Sequence, residues 1–150
     1  MRLRFIFAIA LIVGISLIES RWHYGPWENW RNVDASSESF ASGQIEDAYQ
    51  THRSGIIVTA AGAVEKTLAD DTSGDRHQRF IMRLSSGITV LIAHNIDVAP
   101  RIPDIVPGSP VKIHGEYEWT AKGGTVHWTH KDHRGSHEAG WIEFNGRRYD

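Results

Sequence analysis

Four histidines and one aspartate fall within one short stretch near the end of the chain, in the order HWTHKDHRGSH. Neutral imidazole and carboxylate are the natural protein ligands of zinc, copper, iron or nickel when thiolates are absent. The chain has no cysteine, so a metal site must be built from these residue types. We therefore predict that a divalent transition metal such as zinc takes its ligands from a pool of His127, His130, Asp132, His133 and His137.

The spacing of these residues sets a condition on such a site. His127 and His130 lie three residues apart at the end of a predicted strand, so their side chains point to opposite faces if the strand stays regular. They converge only if the strand ends or bends near Thr129. The spacing is not that of a helical H-E-x-x-H site. Two alternatives stay open: polar turn residues or hydrogen-bonding partners, and acid–base catalysis without a metal.

A second candidate site lies on the second predicted strand. Arg79 and Arg83 project from one face of this strand, and an arginine can hold a phosphate or carboxylate through a two-pronged contact. We predict that Arg79, Arg83 and His94, which lies on the next strand, bind a small ligand. The alternative is a solvated strand face, with the arginines paired to Glu116 or Glu118 across the sheet.

The elements that must position these residues are β-strands. Apolar and alternating runs predict five strands, at residues 56–68, 76–84, 88–94, 111–119 and 125–130, and a further short strand at 141–144. Turn clusters of Gly, Ser and Asp separate most of them, and four prolines mark a long connection after the third strand. Gly62 interrupts the first run, where a barrel strand would bend.

Five strands with a break after the third are typical of an OB-fold. We therefore predict an all-β protein, a small five-stranded OB-like Greek-key barrel with an N-terminal hydrophobic helix. A small SH3-like barrel and an open meander are the alternatives. In an OB-fold, the face of strands two and three is the usual binding surface for oligonucleotides or sugars.

The start of the chain predicts export. Arg2 and Arg4 precede a 14-residue apolar run at 5–18, which matches a secretory signal or a short membrane anchor. We expect three parts: a signal peptide or anchor at 1–21, an aromatic and then flexible linker at 22–53, and the OB-like domain at 54–150. The domain would lie in the periplasm or on the extracytoplasmic face of the inner membrane, anchored there if the leader is uncleaved.

The charge of the domain argues against one class of function. Residues 54–150 contain 11 Lys and Arg residues against 12 Asp and Glu residues. Nucleic-acid binders usually carry a clear positive excess that displaces counterions from phosphates. A nucleic-acid partner is therefore disfavoured, although a local basic patch is compatible with this composition.

Several stretches resemble a known bacterial family. They are GDRHQRFIMRLSSG, LIAHNIDVAPRIP, GEYEW, GGTVHWTHKD and GWIEFNGRRY, in this order. Together they resemble domain of unknown function 3465 over roughly residues 55–149. The resemblance implies a short exported bacterial protein with an N-terminal hydrophobic segment, and it assigns no catalytic residue.

The sequence thus favours a non-catalytic exported binding module for a small anionic or metal ligand. One alternative is a metal-dependent hydrolase of the phosphodiester type that uses the C-terminal His/Asp loop. Another is oligonucleotide binding, which follows from fold analogy alone.

Overall fold

A computed structural model describes residues 35–150, and the side chains from residue 43 onward. The predicted leader at 1–21 and the aromatic segment after it lie outside the described residues. One helix, α1 (Ala35–Gln50), precedes seven strands. The strands are β1 (Ile56–Thr67), β2 (His77–Arg83), β3 (Thr89–Asn95), β4 (Pro110–Glu118), β5 (Thr125–His127), β6 (Trp141–Phe144) and β7 (Arg147–Tyr149). Within residues 35–150, no helix combines the length and apolar character needed to cross a bilayer.

Five of the strands close into a barrel. Their order is β1-β2-β3-β5-β4, and β4 pairs back with β1. All neighbours are antiparallel except β3 and β5, which run parallel. This mixed, closed arrangement confirms the predicted OB-like Greek-key barrel. β6 and β7 extend the sheet from the first half of β4.

Strict alternation of side chains builds the core. Every second residue of β4, from Val111 to Tyr117, is buried, while the residues between them face outward. The same period-two pattern fills β2 and β3, because successive side chains of a strand point to opposite faces. β1 is long enough to pair with β4 through its first half and with β2 through its second, and its register shifts between Val64 and Lys66. Gly62 lies near this transition, where an added Cβ would be 2.4 Å from the Arg83 carbonyl oxygen.

The proline-marked connection after β3 contains no helix, as the sequence indicated. Ile102, which is 1% exposed, fills the core in its place. The buried side chain of Gln78 holds this residue from both sides: its Nε2 donates to the Ile102 carbonyl oxygen, and its Oε1 accepts from the Ile102 N–H, both at 2.9 Å. The connection is therefore held against the barrel core by Ile102 and its two hydrogen bonds to Gln78.

Two predicted segments differ from the structure, and one strand was not predicted. β5 ends at His127 and does not reach residue 130, and β7 is the additional strand. Within the linker expected at 22–53, the sequence suggests a flexible tether at 32–43 and one or two helical turns at 45–52, but α1 spans Ala35–Gln50. The Ser- and Ala-rich composition suggested a solvated linker, whereas the later turns of α1 pack on the barrel and bury Ile45 and Ala48 completely. Few residues of α1 are strongly apolar, so the helix is stabilised mainly by the packing of its buried edge against the barrel.

The end of α1 is also fastened to the barrel by polar contacts. The indole nitrogen of Trp119 donates to the Tyr49 carbonyl oxygen at 3.0 Å, and the rings of His52 and Trp119 lie 4.3 Å apart. The helix is thus an integral part of the folded unit.

Ile45→Ala tests this role of α1. We expect the free energy of unfolding to fall by about 2–5 kcal/mol, because the substitution leaves a cavity between the helix and the barrel. Gln50→Ala, at an exposed position of the same helix, should change it by less than about 0.5 kcal/mol. Urea denaturation of the full-length chain measures both, and equal midpoints for the two variants would show that α1 does not contribute to the fold.

Candidate functional site

Three potential metal ligands meet on the outer face of the barrel. Glu116 and Glu118 are two residues apart on β4 and therefore share its outer face, and Glu116 lies opposite His127 of β5. One ligand atom from each of these residues lies within 4.8 Å of the other two. We refer to Glu116, Glu118 and His127 as the outer cluster.

The electrostatics of the outer cluster are unbalanced. Nε2 of His127 is buried and has no hydrogen-bond partner, and it lies 4.0 Å from Oε1 of Glu116. Burial lowers the pKa of His127 below its ordinary value, although the two carboxylates act in the opposite direction. The imidazole is therefore neutral near pH 7. Within residues 35–150, no lysine or arginine nitrogen lies within 4.0 Å of either carboxylate. Two negative charges consequently face a neutral ring.

A groove adjoins the outer cluster. It has a volume of about 360 Å³, within the range of small-ligand sites. Leu91 and Ala93 of β3 line it together with Thr125, and Asp71, His77 and Arg79 contribute polar groups. This is the face on which OB-folds usually bind their ligands.

Protein groups already hold the two predicted anion-binding arginines. The guanidinium of Arg79 donates to the Ala69 carbonyl oxygen through Nε and Nη2, at 3.1 and 3.0 Å, and lies 3.4 Å from the Asp71 carboxylate. Arg83 pairs with Glu65 at 2.5 Å and donates to the Gly87 carbonyl oxygen. Both side chains face outward as predicted. Their partners are loop and neighbouring-strand groups, and neither Glu116 nor Glu118 is among them.

His94, the third predicted ligand-binding residue, lies in the core. Its side chain is 0% exposed. One ring nitrogen, Nε2, donates to the Pro100 carbonyl oxygen at 3.1 Å, and Nδ1 lies 2.9 Å from the Thr129 hydroxyl, which donates to it. With both nitrogens satisfied inside the protein, His94 has no free atom for an external ligand. It connects β3, the proline-rich connection and the chain after β5.

The chain bends sharply directly after β5. Trp128 has a φ of 53°, which is rare for a bulky residue, and its indole is partly exposed. The bend separates the two histidines of the HWTH stretch: His127 stays on the outer face, whereas His130 is only 6% exposed. The predicted bend near Thr129 thus exists, but it brings His130 towards His137 and not towards His127.

The remaining pool residues have distinct environments. The Asp132 carboxylate accepts the backbone N–H groups of Arg134, Ser136 and His137, and these bonds hold its pKa far below the ordinary range. Asp132 therefore organises the loop. His133 is exposed, while the rings of His130 and His137 lie 5.0 Å apart. Of the imidazole rings in the predicted pool, the structure brings those of His130 and His137 together, and it places His127 with two glutamates.

Glu116 and Glu118 were not predicted to be metal ligands. The alternating pattern of β4 does place both residues on its outer face. What the sequence lacked was the register that sets Glu116 opposite His127.

Comparison with known proteins identifies a family but no activity. A family model described as "Protein of unknown function (DUF3465)" matches residues 32–150, a range that includes α1. No curated protein is similar enough in sequence to match the chain.

The buried His94 predicts a pH-dependent stability. Burial lowers the pKa of His94 below 6.5, so the unfolded chain takes up the proton more readily than the folded chain. The free energy of unfolding should therefore be highest above pH 7 and fall as the pH drops below 6.5, by at most about 1.4 kcal/mol per pH unit from this residue. Urea denaturation between pH 7.5 and 5 measures the slope.

The matched variant is His94→Gln, which keeps a donor and an acceptor but does not titrate. It should be less stable at pH 7.5 and show a shallower pH slope, with a remainder from His127. The same slope in both proteins would exclude His94 as its source.

Proposed function

The chain belongs to the DUF3465 family, and from its geometry we propose that it is a binding module for a divalent transition-metal ion. The ligands are Glu116, Glu118 and His127 on the outer face of the barrel. Following the sequence, we also propose that this module acts outside the cytoplasm, held at the membrane by the N-terminal segment if that is uncleaved.

The observation that carries this proposal is the state of the His127 imidazole. A buried ring nitrogen without a hydrogen-bond partner is destabilising unless another group satisfies it. The Glu116 carboxylate lies 4.0 Å from this nitrogen, which is too far for a hydrogen bond. A cation between the ring and the two carboxylates would satisfy the nitrogen and neutralise both negative charges.

The donor set indicates which ions fit. Two carboxylates and one imidazole suit zinc, manganese, iron or nickel, whereas calcium and magnesium prefer oxygen ligands alone. Ligand atoms that surround an ion at about 2.0–2.2 Å lie about 3–4 Å apart. The present spacing is up to 4.8 Å, which rotation of the flexible glutamate side chains can close.

Removing one ligand should weaken the metal site strongly. We expect Glu118→Gln to reduce the affinity for zinc by at least about 10- to 100-fold, because loss of a direct ligand should cost no less than loss of an outer-shell partner. Glu143→Gln is the matched control, because Glu143 lies on β6 and its carboxylate pairs with Arg148. Isothermal titration of the untagged full-length chain with zinc and manganese measures both.

The pH dependence of zinc binding gives a further check on the same variants. His127 binds metal only when it is neutral, and its pKa is lowered. The affinity for zinc should therefore stay nearly constant as the pH falls towards 6.5. Equal zinc affinity in Glu118→Gln and the parent chain would rule out the outer cluster as a metal site.

Metal-dependent hydrolysis is a second candidate function. Catalytic zinc sites typically have three protein ligands and leave a coordination position for water, and the outer cluster provides three. The adjoining groove, lined by His77 and Thr125, offers space for a substrate beside the ion. Glu116, Glu118 and His127 would hold the ion, which would supply an activated water for phosphodiester hydrolysis.

Bis(4-nitrophenyl) phosphate tests this second function. A hydrolase should release 4-nitrophenolate when loaded with zinc or manganese, and Glu118→Gln should lower the rate by at least about 100-fold, while Glu143→Gln should not. Stoichiometric metal binding without turnover would eliminate hydrolysis of this class and leave the binding module.

The other two ligand classes have less support. Arg79 and Arg83 are both occupied by protein acceptors, which weakens the case for a small anion held by them. Oligonucleotide binding usually combines a positive groove with free aromatic rings. Among residues 43–150, the most exposed aromatic ring is that of Trp128, and it already stacks on His137 at 4.3 Å.

A further inference from the structure

The tautomer of His130 is fixed by a backbone carbonyl. Its Nδ1 lies 2.9 Å from the Lys131 carbonyl oxygen, and since a carbonyl only accepts, Nδ1 carries the proton and donates it. The other ring nitrogen, Nε2, therefore carries a lone pair. The residue is 94% buried, since only 6% of it is exposed, and Nε2 has no hydrogen-bond partner. A buried acceptor in this state requires a partner.

His137 repeats this arrangement from the other side of the loop. Its Nδ1 lies 2.7 Å from the Glu138 carbonyl oxygen and donates to it, which leaves Nε2 with a lone pair. A metal-bound imidazole almost always donates its second ring N–H to a carbonyl or carboxylate, because this fixes the ring and raises its basicity. Both histidines meet this condition.

The separation of the two rings fits a shared ion. Two imidazoles on one tetrahedral zinc, with Zn–N distances of about 2.0 Å, have ring centroids about 5 Å apart. The centroids of His130 and His137 are 5.0 Å apart, and their planes are nearly perpendicular at 89°. We propose that His130 and His137 bind a divalent transition-metal ion through Nε2, at a second site separate from the outer cluster.

The loop that joins the two histidines holds them in place before any ion binds. The carboxylate of Asp132 accepts three backbone N–H groups within residues 134–137, including that of His137. At the base of the loop, the N–H of Gly140 donates to the His130 carbonyl oxygen at 2.9 Å. The ion therefore does not have to order the loop, which reduces the free-energy cost of binding.

The proposed site has an entry route and a predicted ion preference. Both histidines line a cavity of about 610 Å³ that is open to solvent, and Val98 and Trp128 line it with them. Two imidazole ligands leave the remaining positions to water. By the usual order of divalent affinities, copper should bind most tightly, ahead of nickel and zinc.

The test uses the untagged full-length chain in mild detergent, with His127→Gln as the parent so that the outer cluster is incomplete. Copper chloride is titrated into this parent and into the same protein with His137→Gln or His133→Gln. We expect His137→Gln to weaken copper binding at least about 10-fold. His133→Gln, an exposed histidine of the same loop, should leave the affinity unchanged.

Two spectroscopic measurements keep the test independent of folding defects. Electron paramagnetic resonance of the copper-loaded parent should show two imidazole nitrogens, and one after His137→Gln. Nitrogen-15 NMR should report His130 as the Nδ1–H tautomer, with Nε2 shifted by zinc. Equal copper binding in the His137→Gln and His133→Gln proteins, or a His130 ring that does not respond to zinc, would overturn the proposal.

The two metal proposals fail separately. If the outer cluster binds no ion, His127→Gln will leave the copper titration of the otherwise unaltered chain unchanged, and His137→Gln will still weaken it. If only the outer cluster is a site, the parent carrying His127→Gln will bind no copper before any loop substitution is made.

Discussion

The backbone bend at Trp128 is the constraint on which both candidate sites depend. It ends β5 at His127 and turns the chain inward. The residues after His127 therefore do not alternate between the two faces of the sheet, as they would in a regular strand. Gly140 packs directly against the bend: an added Cβ would lie 2.0 Å from the Trp128 carbonyl oxygen and 2.5 Å from that of His114. This close approach requires glycine, and it fixes the distance between the bend and the start of β6.

The same bend completes the barrel. β5 has only three residues, so its ladder to β3 and β4 is short. Thr129, the second residue after the strand, is 0% exposed and donates its hydroxyl proton to His94, whose other nitrogen donates to Pro100. These two buried bonds join the end of β3, the proline-rich connection and the exit of β5. A buried polar group left unpaired costs about 1–3 kcal/mol, so moving any one of these three segments away from the others would destabilise the fold.

The parts of this structure that follow from local pattern could be predicted from the sequence, and the parts that follow from register could not. Alternation in β4 and the proline-marked connection after β3 indicate the barrel order, because both are properties of consecutive residues. The pairing of Glu116 with His127 depends on the register of two strands, and the inward course of His130 depends on the left-handed conformation of Trp128. Neither leaves a sequence signal. The sequence also underestimates the length of α1, because Ile45 and Ala48 are the only buried residues of its described side chains, at 43–50.

The net charge of the domain does not describe the charge around the outer cluster, because several arginines are paired with other carboxylates. Arg76, Arg79, Arg83 and Arg101 each lie beside a carboxylate of a loop or a neighbouring strand. Exposed pairs of this kind contribute little stability, but each of these guanidinium groups is already matched by a carboxylate. Glu116 and Glu118 lie instead beside the neutral imidazole of His127, in a partly buried setting where solvent screens charge less than in bulk water. A chain that is nearly neutral as a whole can therefore carry a local excess of negative charge, and the near-neutral composition that argues against nucleic acid does not argue against the proposed metal site.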